Sequence, residues 1–193
     1  MNIWTKLLME IPVKLVLITS LLTVSMTHAE ESDSDKIERA KSAAPISVSA
    51  LATVIDTDGR VLSEGTNGWT CLPDTLPGDK APMCNDQTWM KMMQAIGQQK
   101  PFATDKIGIS YMLQGEPTGS GVSNSTPYHA DHQNAEDYVE TGPHIMIIVP
   151  KAMLSEITDD PNVGGPYVMW GDTDYAHIMI PVSLDGKQVK TKK

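Results

Sequence analysis

The spacing of apolar residues changes character along this chain, and each change predicts a different element. Leu15 to Met26 is a mainly apolar run behind the basic residues Lys6 and Lys14, and it ends at Thr27-His28-Ala29. Glu30 to Ala44 is charged and polar without apolar rhythm. Ile46 to Ile55 alternates β-branched with small residues, which predicts a strand. Asp56-Thr57-Asp58-Gly59 predicts a turn, with Arg60 to Leu62 returning as a short partner strand. Asp86 is placed to cap a helix from about Gln87 to Ile96, in which Trp89, Met92, Met93 and Ile96 share one face and Gly97 stands at the end. Ile107 to Leu113 again has a period of two: Ile107, Ile109, Tyr111 and Leu113 on one side, Gly108, Ser110 and Met112 on the other. Gln114 to Pro143 has no periodicity and predicts a long loop. His144 to Val149 is a strand, and Pro150 opens a short helix to Ile157. Tyr167 to Trp170 and His177 to Val182 predict a hairpin around Gly171 to Tyr175.

These elements predict an α+β fold: a single small domain with a mainly antiparallel sheet, about two helices and one disulfide. The organisation expected is a signal peptide at 1–29, a flexible N-terminal tail at 30–44, one α+β domain at 45–185 and a frayed C-terminal tail at 186–193. A basic start, a short apolar stretch and a small residue before the cleavage point are the features of a secretory leader. The apolar stretch is shorter than the roughly 20 residues that span a bilayer. An exported protein, periplasmic or secreted, is therefore expected, with no membrane insertion after cleavage.

Charge narrows the partners. The 193-residue chain carries a formal net charge of −9, and loss of Lys6, Lys14 and Glu10 with the leader makes it one unit more negative. Such a chain is repelled by nucleic acid and by anionic membranes. The two cysteines, Cys71 and Cys84, flank a Pro- and Gly-rich stretch, and in an oxidising compartment they predict a disulfide.

Three segments carry a resemblance. Asn67-Gly68-Trp69-Thr70-Cys71-Leu72-Pro73-Asp74 resembles part of a group of uncharacterised exported bacterial proteins. So do Gly142 to Pro150 (GPHIMIIVP) and Gly165 to Trp170 with Tyr175 to Pro181 (GPYVMW and YAHIMIP). The resemblance covers most of the chain from Pro45 to Val182. It implies a bacterial, exported, single-domain protein, and it carries over no catalytic residue because that group has no established activity.

Candidate chemistry centres on a repeated phrase. His144-Ile145-Met146-Ile147 recurs as His177-Ile178-Met179-Ile180. On strands, His144 and Met146 share one face, as do His177 and Met179. Imidazole and thioether are soft ligands suited to copper, so these four residues are a candidate site for copper or another soft metal ion. The branched faces (Ile145, Ile147, Val149; Ile178, Ile180, Val182) are expected to face the core. An antiparallel arrangement sets the two histidines roughly 10 Å or more apart, which favours structural histidines with packed methionines. His129, Asp131 and His132, beside Glu136 and Asp137, form an alternative metal cluster. Trp69, Tyr167, Trp170 and Tyr175 are candidates to line a small-molecule cleft.

Other motifs fail on context. Asp56 to Gly59 lacks the remaining ligands of a calcium loop. No Gly-x-Ser-x-Gly elbow occurs, and Gly119-Ser120-Gly121 does not open a helix. The leading expectation is an exported, non-enzymatic domain that binds a small molecule or a metal. The alternatives are a small extracytoplasmic enzyme using His144 or His177 as acid–base group, and an envelope interaction module marked by a large exposed apolar patch.

Overall fold

In the computed structural model, which describes residues 31–183 and 189–191, backbone pairing gathers most of the chain into one large sheet. In chain order the strands are β1 (Thr53–Ile55), β2 (Val61–Ser63), β3 (Thr70–Leu72), β4 (Met83–Asn85), β5 (Gly108–Met112), β6 (Val122–Ser123), β7 (Tyr138–Glu140), β8 (His144–Ile148), β9 (Tyr167–Met169), β10 (His177–Pro181) and β11 (Lys190–Thr191). Eight of them form a sheet in the order β2-β1-β3-β4-β5-β8-β10-β9, and β11-β7-β6 form a second, small one. Every neighbouring pair is antiparallel except β1 with β3. The helices are α1 (Asp33–Ser42), the single turn α2 (Ile46–Ser49) and α3 (Gln87–Gly97). The α+β expectation, with its mainly antiparallel sheet, holds. The expected leader at 1–29 lies outside the described residues, as does most of the expected C-terminal tail.

Pleating distributes the large sheet's side chains between two cores. On one face, Leu72, Met83, Met112, Met146, Ile148, Tyr167, Met169 and Met179 pack against Trp89 and Met92 of α3. On the other, Val54, Cys71 and Cys84 pack against Ala40, Ala43 and Ala44 at the end of α1. A third cluster, Leu154, Val168 and Ala176, fills that same side nearer β9. Cys71 and Cys84 are directly opposite each other across β3 and β4, with Cα atoms 4.0 Å apart, and form the disulfide.

The segment expected as a flexible tail is instead helix α1. The Ser32 hydroxyl accepts from the Asp35 N–H (3.2 Å), Asp33 and Asp35 occupy the first turn, and Arg39 and Lys41 the last. Capping and charge placement both suit the helix dipole. Its buried side is made of small residues, with Ala40 and Ala43 wholly inaccessible, so no stripe of large apolar residues announces it. Arg39 donates to the Pro73 carbonyl (2.9 Å) and to Asp74 (3.0 Å) and pairs with Glu31, while Lys36 pairs with Asp56 (2.8 Å). These contacts bind α1 to the loops at one end of the sheet.

Four further expectations change. Ile46 to Ser49 coils as α2 behind Pro45, so only Thr53–Ile55 of that stretch is strand; Ile46 is 79 % exposed and anchors nothing in the sheet. The long loop contains β6, a 3-10 turn at His132–Asn134 and β7. The C-terminal end is not wholly frayed, since Lys190 and Thr191 pair with Glu140 and Val139. The Lys190 ammonium also meets the Glu140 carboxylate at 2.6 Å. Pro150 leads only into a 3-10 turn, Lys151–Met153.

The other local readings hold. Gly59 turns with φ +86°, and the Asp56 N–H donates to the Arg60 carbonyl (2.8 Å) across that turn. Asp86 caps α3 by accepting from the Trp89 N–H (2.8 Å), and its second oxygen accepts from the Ile109 N–H (2.9 Å), tying the helix start to β5. The helix runs through Gly97, and Gln99 takes the left-handed turn beyond it (φ +51°). Gly108 explains the close seating of α3: a Cβ there would meet Ile148 at 2.9 Å and Thr88 at 3.1 Å.

Two tests follow from this packing. The disulfide closes a loop of 13 residues, worth about 3 kcal/mol in the chain-entropy view. Reduction with demonstrated thiol exposure should lower the melting temperature; an unchanged midpoint would remove the disulfide's stabilising role. Ala40→Leu should destabilise by about 1–3 kcal/mol through overpacking. Glu38→Ala, on the exposed side of α1, should change stability by less than about 0.5 kcal/mol. Equal urea midpoints for the two variants would mean that α1 does not pack on the sheet.

Candidate functional site

Strand register decides what the sheet presents to α3. Met146 lies opposite Met179, and Ile145 opposite Ile180, across β8 and β10. His144 lies opposite Met112 of β5, and His177 opposite Met169 of β9. His144, Met146 and Ile148 are buried, as are His177 and Met179, while Ile145, Ile147 and Ile178 are only half-buried. The face carrying His and Met is thus the α3 side, and the expectation that the branched faces form the main core is overturned. Met packs there because α3 brings its own apolar face, Trp89, Met92, Met93 and Ile96, down on these residues.

Between α3, the sheet and the β6 segment lies a cavity of about 360 Å³, within the range of small-ligand sites. Seven methionines line it: Met83, Met92, Met93, Met112, Met146, Met169 and Met179. Only two of the nine methionines beyond the expected leader, Met90 and Met153, lie outside the lining. His144 and His177 join it with Trp89, Trp170 and Glu116, and His132 stands where it meets an adjoining open groove.

The two imidazoles are held alike. Nδ1 of His144 is 2.7 Å from the Gly142 carbonyl, and Nδ1 of His177 is 2.9 Å from the Tyr175 carbonyl. A carbonyl oxygen only accepts, so each Nδ1 carries the proton and each Nε2 presents a lone pair. Both Nε2 atoms are buried without a protein hydrogen-bond partner, as is the Trp89 indole N–H. Edge-on indole contacts from Trp89 (5.1 Å between centroids) and Trp170 (5.0 Å) fix the ring of His177. Burial holds both imidazoles at a pKa of about 4, against the pull of the backbone carbonyls; for His177, His144 adds to the depression. Glu116 moves the other way, to about 8, because it is desolvated. The Thr141 N–H opposes that shift at 2.6 Å, and the charges of Glu140 and Asp79 reinforce it.

The rim is fastened at defined points. Trp170 has φ +56°, a left-handed conformation costly for a bulky residue. Its backbone N–H donates to the Asn124 carbonyl (2.7 Å) and its indole N–H to the Ser123 carbonyl (2.9 Å). Tyr175 donates to the Lys100 carbonyl (2.7 Å) and accepts from Tyr128 (2.8 Å), whose hydroxyl also lies 3.0 Å from the Ile96 carbonyl. The long segment is therefore strapped to the end of α3.

All four residues of the repeated phrase line one cavity, though β8 and β10 run antiparallel as expected and the histidines sit at opposite ends of it. The second cluster does not assemble. His129 and Asp131 are exposed, and His129 accepts only from the Asp131 N–H (3.2 Å). Among the described residues no three His, Cys, Asp or Glu side chains gather into a metal-holding group. Of the four proposed cleft aromatics only Trp170 lines the cavity. Trp69 packs on Tyr111 (5.6 Å) in the α1 core, Tyr167 is buried with its hydroxyl 3.0 Å from that of Thr141, and Tyr175 serves the strap. Met83, Met112, Met169 and Glu116 were not singled out from sequence. The count of methionines and the apolar face of α3 were the available signals.

Comparison with known protein families, with curated proteins and with solved structures finds no match. No described helix is long and apolar enough to cross a membrane.

The buried groups set a pH dependence. Unfolded imidazole titrates near 6.5 and these two only near about 4. Between those values the unfolded chain binds more protons, so stability falls as pH drops from 6.5 toward 4. Glu116 acts oppositely: folded it keeps its proton to about 8, unfolded only to about 4.5, so its contribution falls as pH rises through that window. Two histidines outweigh one glutamate below 6.5, and Glu116 alone acts above it. Urea unfolding at a series of pH values should give greatest stability near pH 6.5, with Glu116→Gln flattening the alkaline limb. A flat profile from pH 4.5 to 8 would contradict the shifts of all three.

Proposed function

We propose that this protein is an exported binding domain that encloses a small ligand in the methionine- and histidine-lined cavity. One observation carries the reading: a largely apolar cavity into which two buried, orientationally fixed imidazoles bring Nε2 acceptors that the protein itself leaves unpartnered. A buried polar atom without a partner costs roughly 1–3 kcal/mol, and two such atoms on one cavity wall are better accounted for by a ligand than by packing. The apolar run at Leu15–Met26 behind basic residues, and a disulfide of the kind favoured in oxidising compartments, support action outside the cytoplasm.

The alternative, a small extracytoplasmic enzyme with His144 or His177 as acid–base group, asks for a carboxylate orienting the imidazole. Both Nδ1 atoms instead meet backbone carbonyls, an arrangement that fixes a ring without raising its basicity as a carboxylate would. Binding is therefore the reading the geometry supports better.

The test uses a neutral apolar fluorophore, N-phenyl-1-naphthylamine, as probe. It should bind saturably at one per chain, accept energy from Trp89 and Trp170, and raise the melting temperature by linkage. Met93→Trp, which fills the cavity from α3, should abolish saturable binding while the folded signal remains. Non-saturable binding, or binding unchanged in Met93→Trp, would overturn the reading.

A further inference from the structure

Around the centre of the β8/β10 pair the cavity wall repeats itself. His144 has Met112 directly opposite on β5 and Met146 two residues on along its own strand. His177 has Met169 directly opposite on β9 and Met179 two residues on. In each half Nδ1 is engaged by the carbonyl two residues earlier, Gly142 or Tyr175, and Nε2 is buried and unpartnered. Met146 and Met179, opposite each other, join the halves.

We propose that the cavity holds two soft monovalent metal ions of the copper(I) class, one at His144 with Met112 and Met146 and one at His177 with Met169 and Met179. The proposal rests on the ligand-binding reading of the cavity and names its ligand. Directly opposed residues on neighbouring strands have Cβ atoms about 5 Å apart, and alternate residues of one strand about 6.5–7 Å. An imidazole and two flexible thioethers at those spacings can converge on one ion. The two histidines are offset by four residues in the register, since His144 faces Pro181 and His177 is the far end of β10. That is about 13 Å along the strands, too far for one ion to take both rings, so the wall offers two positions.

Ligand chemistry selects the ion. The donors are uncharged, and two soft thioethers with one borderline imidazole suit copper(I) and silver(I) better than zinc, which thioethers hold poorly, and far better than calcium or magnesium. An uncharged donor set in a desolvated space also leaves a second positive charge uncompensated, which disfavours divalent ions. A metal-bound histidine characteristically donates its other N–H to a carbonyl or carboxylate, as both of these rings do. The indoles of Trp89 and Trp170 flank the His177 position and report on its occupancy.

Silver(I), which has no competing redox chemistry, is titrated into the full chain with its disulfide intact, following bound metal by equilibrium dialysis and Trp fluorescence. Two equivalents per chain are expected. His144→Phe and His177→Phe should each leave one, with indole quenching lost only in His177→Phe. The near-isosteric pairs Met112→Leu/Met146→Leu and Met169→Leu/Met179→Leu should repeat those results without disturbing packing. Two equivalents retained in every variant would place the metal elsewhere and overturn the proposal. So would one equivalent in the unsubstituted chain that substitution in either half abolishes, which would mean one shared site. Naphthylamine binding without any silver binding would overturn the metal assignment while the cavity reading stands; absence of both would overturn the two together.

Discussion

The pairing of β8 with β10 in the register that sets Met146 against Met179 governs the site. In a pleated strand a shift of one residue exchanges the faces completely. In this register both His-x-Met faces point toward α3, and both Ile faces toward the half-exposed side. Slipped by one, β10 would offer Ile178 and Ile180 to the cavity, and the imidazole of His177 would leave the company of Trp89 and Trp170. The neighbours β5 and β9 then extend the same alternation outward, which is why Met112 and Met169 complete the wall.

A cavity in the middle of a core needs a frame that does not collapse. Part of that frame is polar: on the same sheet face Ser110 donates to Asn85 at 2.6 Å with both side chains inaccessible, so these positions are satisfied by each other. Part is steric, because the missing side chain at Gly108 leaves room for Thr88 at the start of α3 and for Ile148. Part is a clamp, the left-handed Trp170 bonded at two points to the β6 segment. Beside these satisfied groups the two Nε2 atoms and the Trp89 indole N–H stand out as buried polar atoms on the cavity wall without a protein partner.

Local signals read well from the sequence where one residue carries a distinct chemical role. Asp86 as cap, Gly59 as turn and Cys71–Cys84 as a staple each depend on a single side chain or a short run. The readings that missed depend on partners far along the chain. Helix α1 buries alanines, whose small side chains give no strong periodic pattern. Residues 114–143 form only very short strands, and these order because Lys190 and Thr191 return to pair with β7. The pattern of β8 and β10 points the wrong face inward because branched aliphatics ordinarily claim the core. Here a helix with its own methionines, Met92 and Met93, supplies a flexible counter-surface that accepts thioethers. That His144 and His177 share one cavity at opposite ends was not visible until β10 was placed between β8 and β9.

The cavity lining also gives the molecule a chemical memory. Oxidation turns a thioether into a polar, chiral sulfoxide, and a wall of seven such groups is sensitive to it far beyond an aliphatic one. Met153 lies outside that wall, 64 % exposed, and meets oxidants in solution directly. Met92 and Met179 are almost wholly shielded, so their oxidation waits on local opening of the structure around them. The ratio of sulfoxide at Met153 to that at Met92 and Met179 is thus a record of how often the cavity has been open.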